Sequence, residues 1–371
     1  MSAWATCFLI SWSISQLFFG VDKHLPNGRK PIVTETKSAG NLFESDSILE
    51  VVIEGDINKL LRDRFDDAVK HPLTLTYTTD DNKKVVVPIE AKTRGHFRRT
   101  QGDCTYPPLM LHFRKNDSTD NSIFNGQSKL KLVVPCRSEE LIIKEWMAYK
   151  MYNLLTPQSF KVRLLNLQWK QSNKNKQEKP IYAFLLENED EMAARNGSFS
   201  VKRNHLSPTA TDSSAFFRMA IFQYLIGNTD WSIQYMQNIK LITTDTNSVS
   251  IRPVTVPYDF DMSGWVNAPY GKPAPELMLA SIKTRRFRGY CIPNTSVYDE
   301  TLKQFEDVKT SIYQLLETNA KLSQKTISVQ KEFLDQFYTM LSKRDRLDRD
   351  LLYPCDKNGT GNVVIRGLNV E

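Results

Sequence analysis

Two stretches of sequence decide the fold prediction for this chain of 371 residues. They are GNTDWSIQYMQNIKL, residues 227–241, and VPYDFDMSGW, residues 256–265. The first stretch is a polar loop that runs into a short apolar strand, and the second is a strand that ends in two aspartates. If the two strands pair as a hairpin, Asn238 lies at the same end of that hairpin as Asp259. The sequence therefore predicts a cluster of oxygen-bearing side chains beside one pair of strands.

Carboxylates and an amide in this arrangement suit one reaction in particular. Phosphoryl transfer needs a carboxylate near the accepting hydroxyl and hard oxygen ligands for a divalent metal, and Mg²⁺ takes few ligands from the protein. Asp230 is the candidate for the first role. The candidates for the second role are Asn238, Asp259 and Asp261. Each of these residues could instead be an ordinary turn or cap residue, which is a common use of Asp and Asn.

Helical patterns flank this stretch on both sides. Upstream, residues 215–227 carry apolar residues at four-residue intervals, with Asp212 or Ser213 as the cap and Gly227 as the stop. Downstream, apolar spacing from Asp299 onward predicts two long helices. The apolar positions are Leu302, Phe305, Val308, Ile312 and Leu315 in one helix, and Val329, Phe333, Phe337 and Leu341 in the other.

Short β-branched runs dominate the first half of the chain. They read ILEVVIEG, LTLTYT, KVVVPIEA, PPLMLHFRK, SKLKLVV, KVRLLNLQWK and KPIYAFLLE, and a single helix follows Ser138. We therefore predict an α+β fold of two lobes, with a β-rich N-terminal lobe at residues 48–205 and a mainly helical C-terminal lobe at 206–355. Residues 21–47 are expected to be poorly ordered, and residues 356–371 to form a tail.

The order of these motifs resembles that of the spore-coat CotH family of atypical, kinase-like proteins. The matching segments are KTRGHFRRTQG, PPLMLHFRK, SKLKLVV, the helix with Glu145, KPIYAFLLENEDEM, GNTD and PYDFD, within roughly residues 90–265. The resemblance implies an atypical protein-kinase-like two-lobed fold. It also implies transfer of the γ-phosphoryl group of ATP to a protein acceptor, which could be the chain itself.

The resemblance also implies roles for individual residues. By matching position, Asp230 would be the catalytic carboxylate. Mg²⁺ or Mn²⁺ would be held by Asn238, Asp259 and Asp261. A lysine of SKLKLVV, either Lys131 or Lys129, would contact the phosphates and pair with Glu145 on the following helix.

Three departures from the family pattern favour a different function. Trp231 stands where the family often has Arg, the interval from Asp230 to Asn238 is longer than in ordinary protein kinases, and no Gly-rich phosphate loop is present. These features suit a catalytically inactive, kinase-like surface or interaction protein. Carbohydrate binding through the aromatic loops WSIQYMQN and GWVNAPYG is a third hypothesis, although aromatic residues in such loops more often complete the core beneath them.

The net charge of +7 is only mildly basic, and the sequence contains two basic clusters. The clusters are Arg94, Arg98 and Arg99, and Arg285, Arg286 and Arg288. Either could meet phosphate, but we predict solvated faces, and we expect no nucleic-acid partner because no recognition motif accompanies them. The scattered histidines and the lack of HExxH and GxSxG motifs argue against zinc and serine hydrolases.

The N-terminus predicts export. Residues 3–19 are apolar, but they are too short and too interrupted for a membrane span, so we interpret residues 1–20 as a signal peptide. No later apolar run reaches membrane length, so no transmembrane core is expected. In an oxidising compartment the four remaining cysteines allow three pairings, of which we favour Cys104–Cys136 with Cys291–Cys355.

Overall fold

A computed structural model of the chain describes residues 41–79, 81–100, 104–114, 122–173, 178–244, 252–273, 275–292 and 295–355. All of them lie in one unit, Ser38–Glu371. The expected signal peptide and the C-terminal tail fall outside the described residues. The strands are β1 (Leu49–Gly55), β2 (His71–Thr78), β3 (Lys84–Thr93), β4 (Leu109–Phe113), β5 (Lys129–Val133), β6 (Val162–Gln171), β7 (Ile181–Leu186), β8 (Phe199–Val201), β9 (Ile239–Thr243) and β10 (Val254–Pro257). The helices are α1 (Ile57–Arg62), α2 (Phe97–Thr100), α3 (Glu139–Leu155), α4 (Glu189–Arg195), α5 (Ser213–Leu225), α6 (Thr295–Asp307), α7 (Lys309–Glu317), α8 (Gln324–Leu341) and α9 (Arg344–Leu351).

The first seven strands close into a barrel in the order β1-β2-β3-β4-β5-β7-β6. Neighbouring strands are antiparallel except at the closure, where β1 and β6 are parallel and Leu49 lies opposite Leu165. Alternate side chains along these strands point inward and most of them are apolar, as the alternating sequence requires. The predicted β-rich first lobe is confirmed. A closed seven-stranded barrel is not the standard first lobe of a kinase.

The outer face of the barrel is covered by α3, which begins after Ser138 as predicted. The Ser138 hydroxyl accepts a hydrogen bond of 3.2 Å from the backbone N–H of Glu140. On β7, Ala183 and Leu185 point into the barrel, whereas the alternate residues Phe184 and Leu186 pack outward in a second core that includes α3. This second core continues into the C-terminal half of the chain, so α3 joins the two lobes.

The second lobe contains a three-stranded antiparallel sheet in the order β10-β9-β8. The predicted hairpin of β9 and β10 is confirmed, with Ile239 opposite Pro257. Helix α5 is capped by Asp212, whose carboxylate accepts a hydrogen bond of 2.8 Å from the N–H of Ala215. Strand β8, which was not predicted and lies within the range 48–205 expected for the first lobe, pairs with β9.

Two other expectations are changed by the structure. Leu42, in the segment expected to be poorly ordered, is fully buried among the apolar residues of the barrel. The single helix predicted from Leu302 to Leu315 is divided, because α6 ends at Asp307 and α7 begins at Lys309. The apolar stripe runs on across the break, since both helices pack on the same core.

Two disulfides, Cys104–Cys136 and Cys291–Cys355, are present, which confirms the favoured pairing. The first links the chain after α2 to the chain before α3. The second links the segment before α6 to the turn after α9. Within the described residues, no helix combines the length and the apolar character that a membrane span requires.

Candidate active site

The hairpin of β9 and β10 brings two candidate metal ligands to one place. The backbone N–H of Tyr258 donates a hydrogen bond of 3.0 Å to the carbonyl of Asn238, just beyond the last strand pair. Asn238 and Asp259 both have left-handed backbones, with φ of 51° and 64°. Left-handed conformations are uncommon for residues other than glycine, and such outliers cluster at functional sites.

Asp230 lies beside this hairpin, in the loop that follows α5. Its backbone N–H donates a hydrogen bond of 3.0 Å to the side-chain oxygen of Asn228. The amide of Asn238 donates to both the carbonyl and the carboxylate of Asp230, at 2.7 and 3.0 Å, and the amide of Gln237 donates to the other carboxylate oxygen. The structure therefore brings two of the predicted residues, Asp230 and Asn238, into direct contact.

The surroundings of Asp230 change the affinity of its carboxylate for a proton. Burial, followed by the nearby charge of Asp259, raises the pKa of Asp230 to about 6. The hydrogen bond from Asn238 and the charge of Arg288 act in the opposite direction. A carboxylate with a pKa close to neutral is suited to accepting a proton during a reaction.

Two aromatic hydroxyls hold the YDFD segment in place. The backbone N–H of Asp259 donates a hydrogen bond of 2.8 Å to the Tyr149 hydroxyl on α3, and the Tyr270 hydroxyl donates one of 3.0 Å to the carboxylate of Asp261. Asp261 is buried, and burial followed by the charge of Asp259 raises the pKa of Asp261 to about 7. The half-buried carboxylate of Asp259 accepts no hydrogen bond within the described part of the chain.

Glu145 on α3 faces this group of acids, one helical turn before Tyr149. It is fully buried, and burial, followed by the charges of Asp261 and Asp259, raises the pKa of its carboxyl group well above the usual value. The cations that favour its ionised form are Arg98 and Arg94. Among the described residues, no ion pair joins Lys131 to Glu145, and the cationic charges that act on Glu145 are those of the two arginines.

Lys131 points away from the barrel interior, toward the hairpin. Its ammonium lies 4.3 Å from the centre of the Tyr258 ring and forms no ion pair with a described residue. Burial, followed by the charge of Arg94, lowers the pKa of Lys131 to about 7. Lys129, the other lysine of the strand, is exposed and lies outside this cluster.

Two arginines of the basic clusters are buried beside the site, so the expectation of solvated faces is wrong for them. Arg98 donates a hydrogen bond to the carbonyl of Val134, and Arg288 donates to the carbonyls of Thr229 and Trp231. Both arginines are 8% exposed. The only sequence signal for them was the clusters themselves, which do not distinguish a buried arginine from a solvated one.

The tryptophans of the two aromatic loops complete the core, as expected for such loops. Trp231 is 3% exposed and Trp265 is 0% exposed. The guanidinium of Arg288 lies 4.8 Å from the centre of the Trp231 ring. A carbohydrate cannot stack on these two rings in this conformation.

The donor chemistry of the site fits a magnesium or manganese ion. No group of three or more His, Cys, Asp and Glu side chains placed to hold a metal occurs among the described residues. The amide nitrogen of Asn238 is used by Asp230, which leaves its oxygen available, and Asp259 and Asp261 supply carboxylate oxygens. Such a set suits Mg²⁺, which commonly binds through one or two carboxylates and substrate phosphates and keeps several waters.

Comparisons with known proteins do not identify a family for this chain. No protein-family model and no curated protein matches the sequence. Among solved structures, the chain is similar to that described as "Crystal structure of A Helicobacter pylori proinflammatory kinase CtkA". The two share 12% identity over 63% of this chain and 88% of the other, with a TM-score of 0.36.

Proposed function

We propose that the chain is an exported, CotH-like atypical kinase that transfers the γ-phosphoryl group of ATP to a hydroxyl of a protein acceptor. The observation that carries this proposal is the contact of Asp230 with Asn238 at the end of the hairpin that also presents Asp259. The order of sequence motifs supplies independent support.

In the proposed reaction, Asp230 orients the acceptor hydroxyl and takes its proton. The hydroxyl oxygen forms a bond to the γ-phosphorus, while the bond from that phosphorus to the oxygen bridging the β- and γ-phosphates breaks and ADP leaves. A pKa of about 6 leaves Asp230 mostly ionised at neutral pH and able to accept a proton. Gln237 and Asn238 fix the direction of the carboxylate through their hydrogen bonds.

Asn238, Asp259 and Asp261 would hold Mg²⁺ or Mn²⁺. Such an ion would neutralise charge on the phosphates. Lys131 would contact a phosphate, because its ammonium faces the hairpin and has no ionic partner among the described residues. Glu145 would act indirectly, through the attraction between its carboxylate and the charges of Arg98 and Arg94. We call the region around Lys131, Glu145, Asp230, Asp259 and Asp261 the cleft.

The two disulfides support the exported part of the proposal. Disulfides persist in oxidising compartments and are rare in the cytosol. Secretion, the periplasm and the cell surface are all consistent with them.

The proposal is tested by measuring ATP binding with Mg²⁺ or Mn²⁺ and phosphate incorporation by the purified protein. We expect Asp259→Asn to weaken metal-dependent ATP binding, and Asp230→Asn to bind ATP but to incorporate phosphate at least about a hundredfold more slowly. The control is Asp307→Asn, which removes an exposed carboxylate paired with Lys303 on α6. A folded wild-type protein that binds no nucleotide with either metal would refute the kinase proposal.

One observation favours the alternative of a catalytically inactive interaction protein. Trp231 replaces the arginine that the family often has after the catalytic aspartate, and it is buried instead of facing the cleft. Nucleotide binding without phosphate transfer to any tested protein, including the chain itself, would support that alternative.

A further inference from the structure

Two cations beside the hairpin form no direct ion pair with a described residue. The ammonium of Lys131 has no ionic or hydrogen-bonding partner there, and it lies 4.3 Å from the centre of the Tyr258 ring. Arg94 is half-buried, and no acceptor for its guanidinium lies among the described residues. Strand register places the two cations on the same outer face of the barrel: Lys92, two residues before Arg94, lies opposite Met110, and Met110 lies opposite Lys131. The charge of Arg94 also disfavours the protonated form of Lys131 and so helps to lower the pKa of Lys131.

Nearby basic residues are satisfied within the protein. Lys240 forms an ion pair of 2.7 Å with Glu189, and Arg98 is buried and donates to the carbonyl of Val134. Arg94 and Lys131 thus differ from these neighbours in that their side chains make no direct ion pair or hydrogen bond with a described residue.

The backbone that carries Arg94 is fixed. Arg94 follows the last residue of β3, and its N–H donates a hydrogen bond of 2.9 Å to the carbonyl of Pro108. The helix α2 follows immediately, where Phe97 packs 5.8 Å from the ring of Tyr270. The guanidinium therefore extends from a rigid support at the boundary between the barrel and the second lobe.

We propose that Arg94 is a second phosphate-contacting residue and that, together with Lys131, it binds a polyphosphate group in the cleft. The proposal rests on the proposed function insofar as this group is the triphosphate of ATP. It assigns a role to a residue of the first basic cluster and provides side-chain contacts in a chain that has no Gly-rich phosphate loop.

The physical basis is the cost of bringing two like charges together. Placing two cations side by side in a partly desolvated cleft is unfavourable unless an anion neutralises them. A triphosphate carries several negative charges, and a guanidinium can bind phosphate oxygens through two parallel hydrogen bonds. Arg94 contributes this two-point contact and Lys131 contributes a compact point charge.

The test uses isothermal titration calorimetry of the full chain with inorganic tripolyphosphate and, separately, with ATP and Mg²⁺. We expect Arg94→Met to weaken tripolyphosphate binding about tenfold or more, and Arg94→Lys to recover part of the loss. The matched control is Arg114→Met, since Arg114 is exposed on the same barrel and pairs with Glu90 at 2.9 Å. Circular dichroism and thermal unfolding establish that each variant is folded.

The outcomes separate this inference from the proposed function. If the wild-type protein binds tripolyphosphate through Arg94 but binds no ATP, the phosphate site stands and the kinase proposal fails. If ATP or tripolyphosphate binds equally well to folded Arg94→Met, the assignment of Arg94 is wrong. Failure of the wild-type protein to bind either ligand overturns both.

Discussion

Leu132 and Lys131 are neighbours on β5, yet they belong to two regions of opposite character. Leu132 is fully buried inside the barrel among apolar side chains, whereas Lys131 points outward into the cleft. The barrel interior stabilises the fold by removing apolar surface from water. The cleft instead buries charged groups, among them Arg98, Glu145 and Asp261, which oppose folding unless they are paired.

This difference indicates how the chain combines stability with chemistry. The barrel is a rigid support, and its outer face and α3 present charged groups to the hairpin of the second lobe. The raised carboxyl pKa values of Glu145, Asp230 and Asp261 and the lowered pKa of Lys131 occur together beside the hairpin, and none of these four groups lies inside the barrel. Such perturbed groups are typical of functional sites.

The largest expected effect tests the barrel side of the comparison. Leu132→Ala should lower the free energy of unfolding by about 2–5 kcal/mol, because it leaves a cavity in a closely packed interior. Denaturant unfolding followed by circular dichroism measures the change. Val86→Ala on β3 is the control, since Val86 is 56% exposed and should cost little. If Leu132→Ala lowers the free energy of unfolding by less than Val86→Ala does, the barrel interior is loosely packed.

Removing the two disulfides one at a time should distinguish an effect on stability from an effect on phosphate binding. Each disulfide is removed by a double substitution, either Cys104→Ser with Cys136→Ser or Cys291→Ser with Cys355→Ser. Each double variant should lower the free energy of unfolding by about 2–4 kcal/mol, since the cross-links span 32 and 64 residues. Only the first pair should also weaken tripolyphosphate binding, because it anchors the segment after Arg98. Equal loss of binding in both variants would contradict this distinction.

Lys131→Met should raise the free energy of unfolding, whereas Leu132→Ala should lower it. The lysine has a pKa of about 7 in the folded protein and an ordinary value of 10.5, so below pH 7 the fold must accommodate a charge that it disfavours. Methionine removes this cost and should raise the free energy of unfolding by about 1–3 kcal/mol at pH 6, while weakening phosphate binding.

The pH dependence of that variant provides a sharper test. The gain in unfolding free energy from Lys131→Met should be complete below pH 7. It should shrink as the pH rises from 7 toward 10.5, because the lysine of the folded wild-type protein is then already neutral. Thermal unfolding at several pH values measures it. Lys129→Met, an exposed position on the same strand, is the control, and a constant difference between the two variants at all pH values would count against a buried charge at Lys131.

The smallest expected effect lies in the second lobe, away from the charged cleft. Asp212→Ala removes the acceptor for the N–H of Ala215 and should lower the free energy of unfolding by about 1 kcal/mol. Asp212→Asn should recover most of the loss, because Asn is also a good cap. Chemical denaturation of the two variants side by side measures the difference, and no loss in Asp212→Ala would show that α5 is held by packing alone.

Local patterns were sufficient to predict much of the fold. Alternation predicted the strands of the barrel, and Ser138 and Asp212 marked the starts of α3 and α5. The polar residues at the ends of two short strands predicted the hairpin that places Asn238 beside Asp259. These predictions succeeded because each depends on neighbours only a few residues apart along the chain.

Helix boundaries and strand partners that depend on contacts distant in sequence could not be predicted from local patterns. The division of one predicted helix into α6 and α7 leaves the apolar stripe unchanged, so periodicity does not reveal it. Strand β8 is too short for its pattern to indicate that it pairs with β9 instead of the barrel.

The sequence by itself determined the alternating strands, the helix caps and the polar ends of the β9–β10 hairpin, since these follow from backbone geometry and local side-chain chemistry. Tertiary structure alone decided that the barrel closes through the parallel pairing of β1 with β6. It also decided that Arg98 and Arg94, and not Lys131, face Glu145. A charged residue has the same local pattern whether it is solvated or buried, and only the residues packed around it from other parts of the chain settle which cation meets which acid.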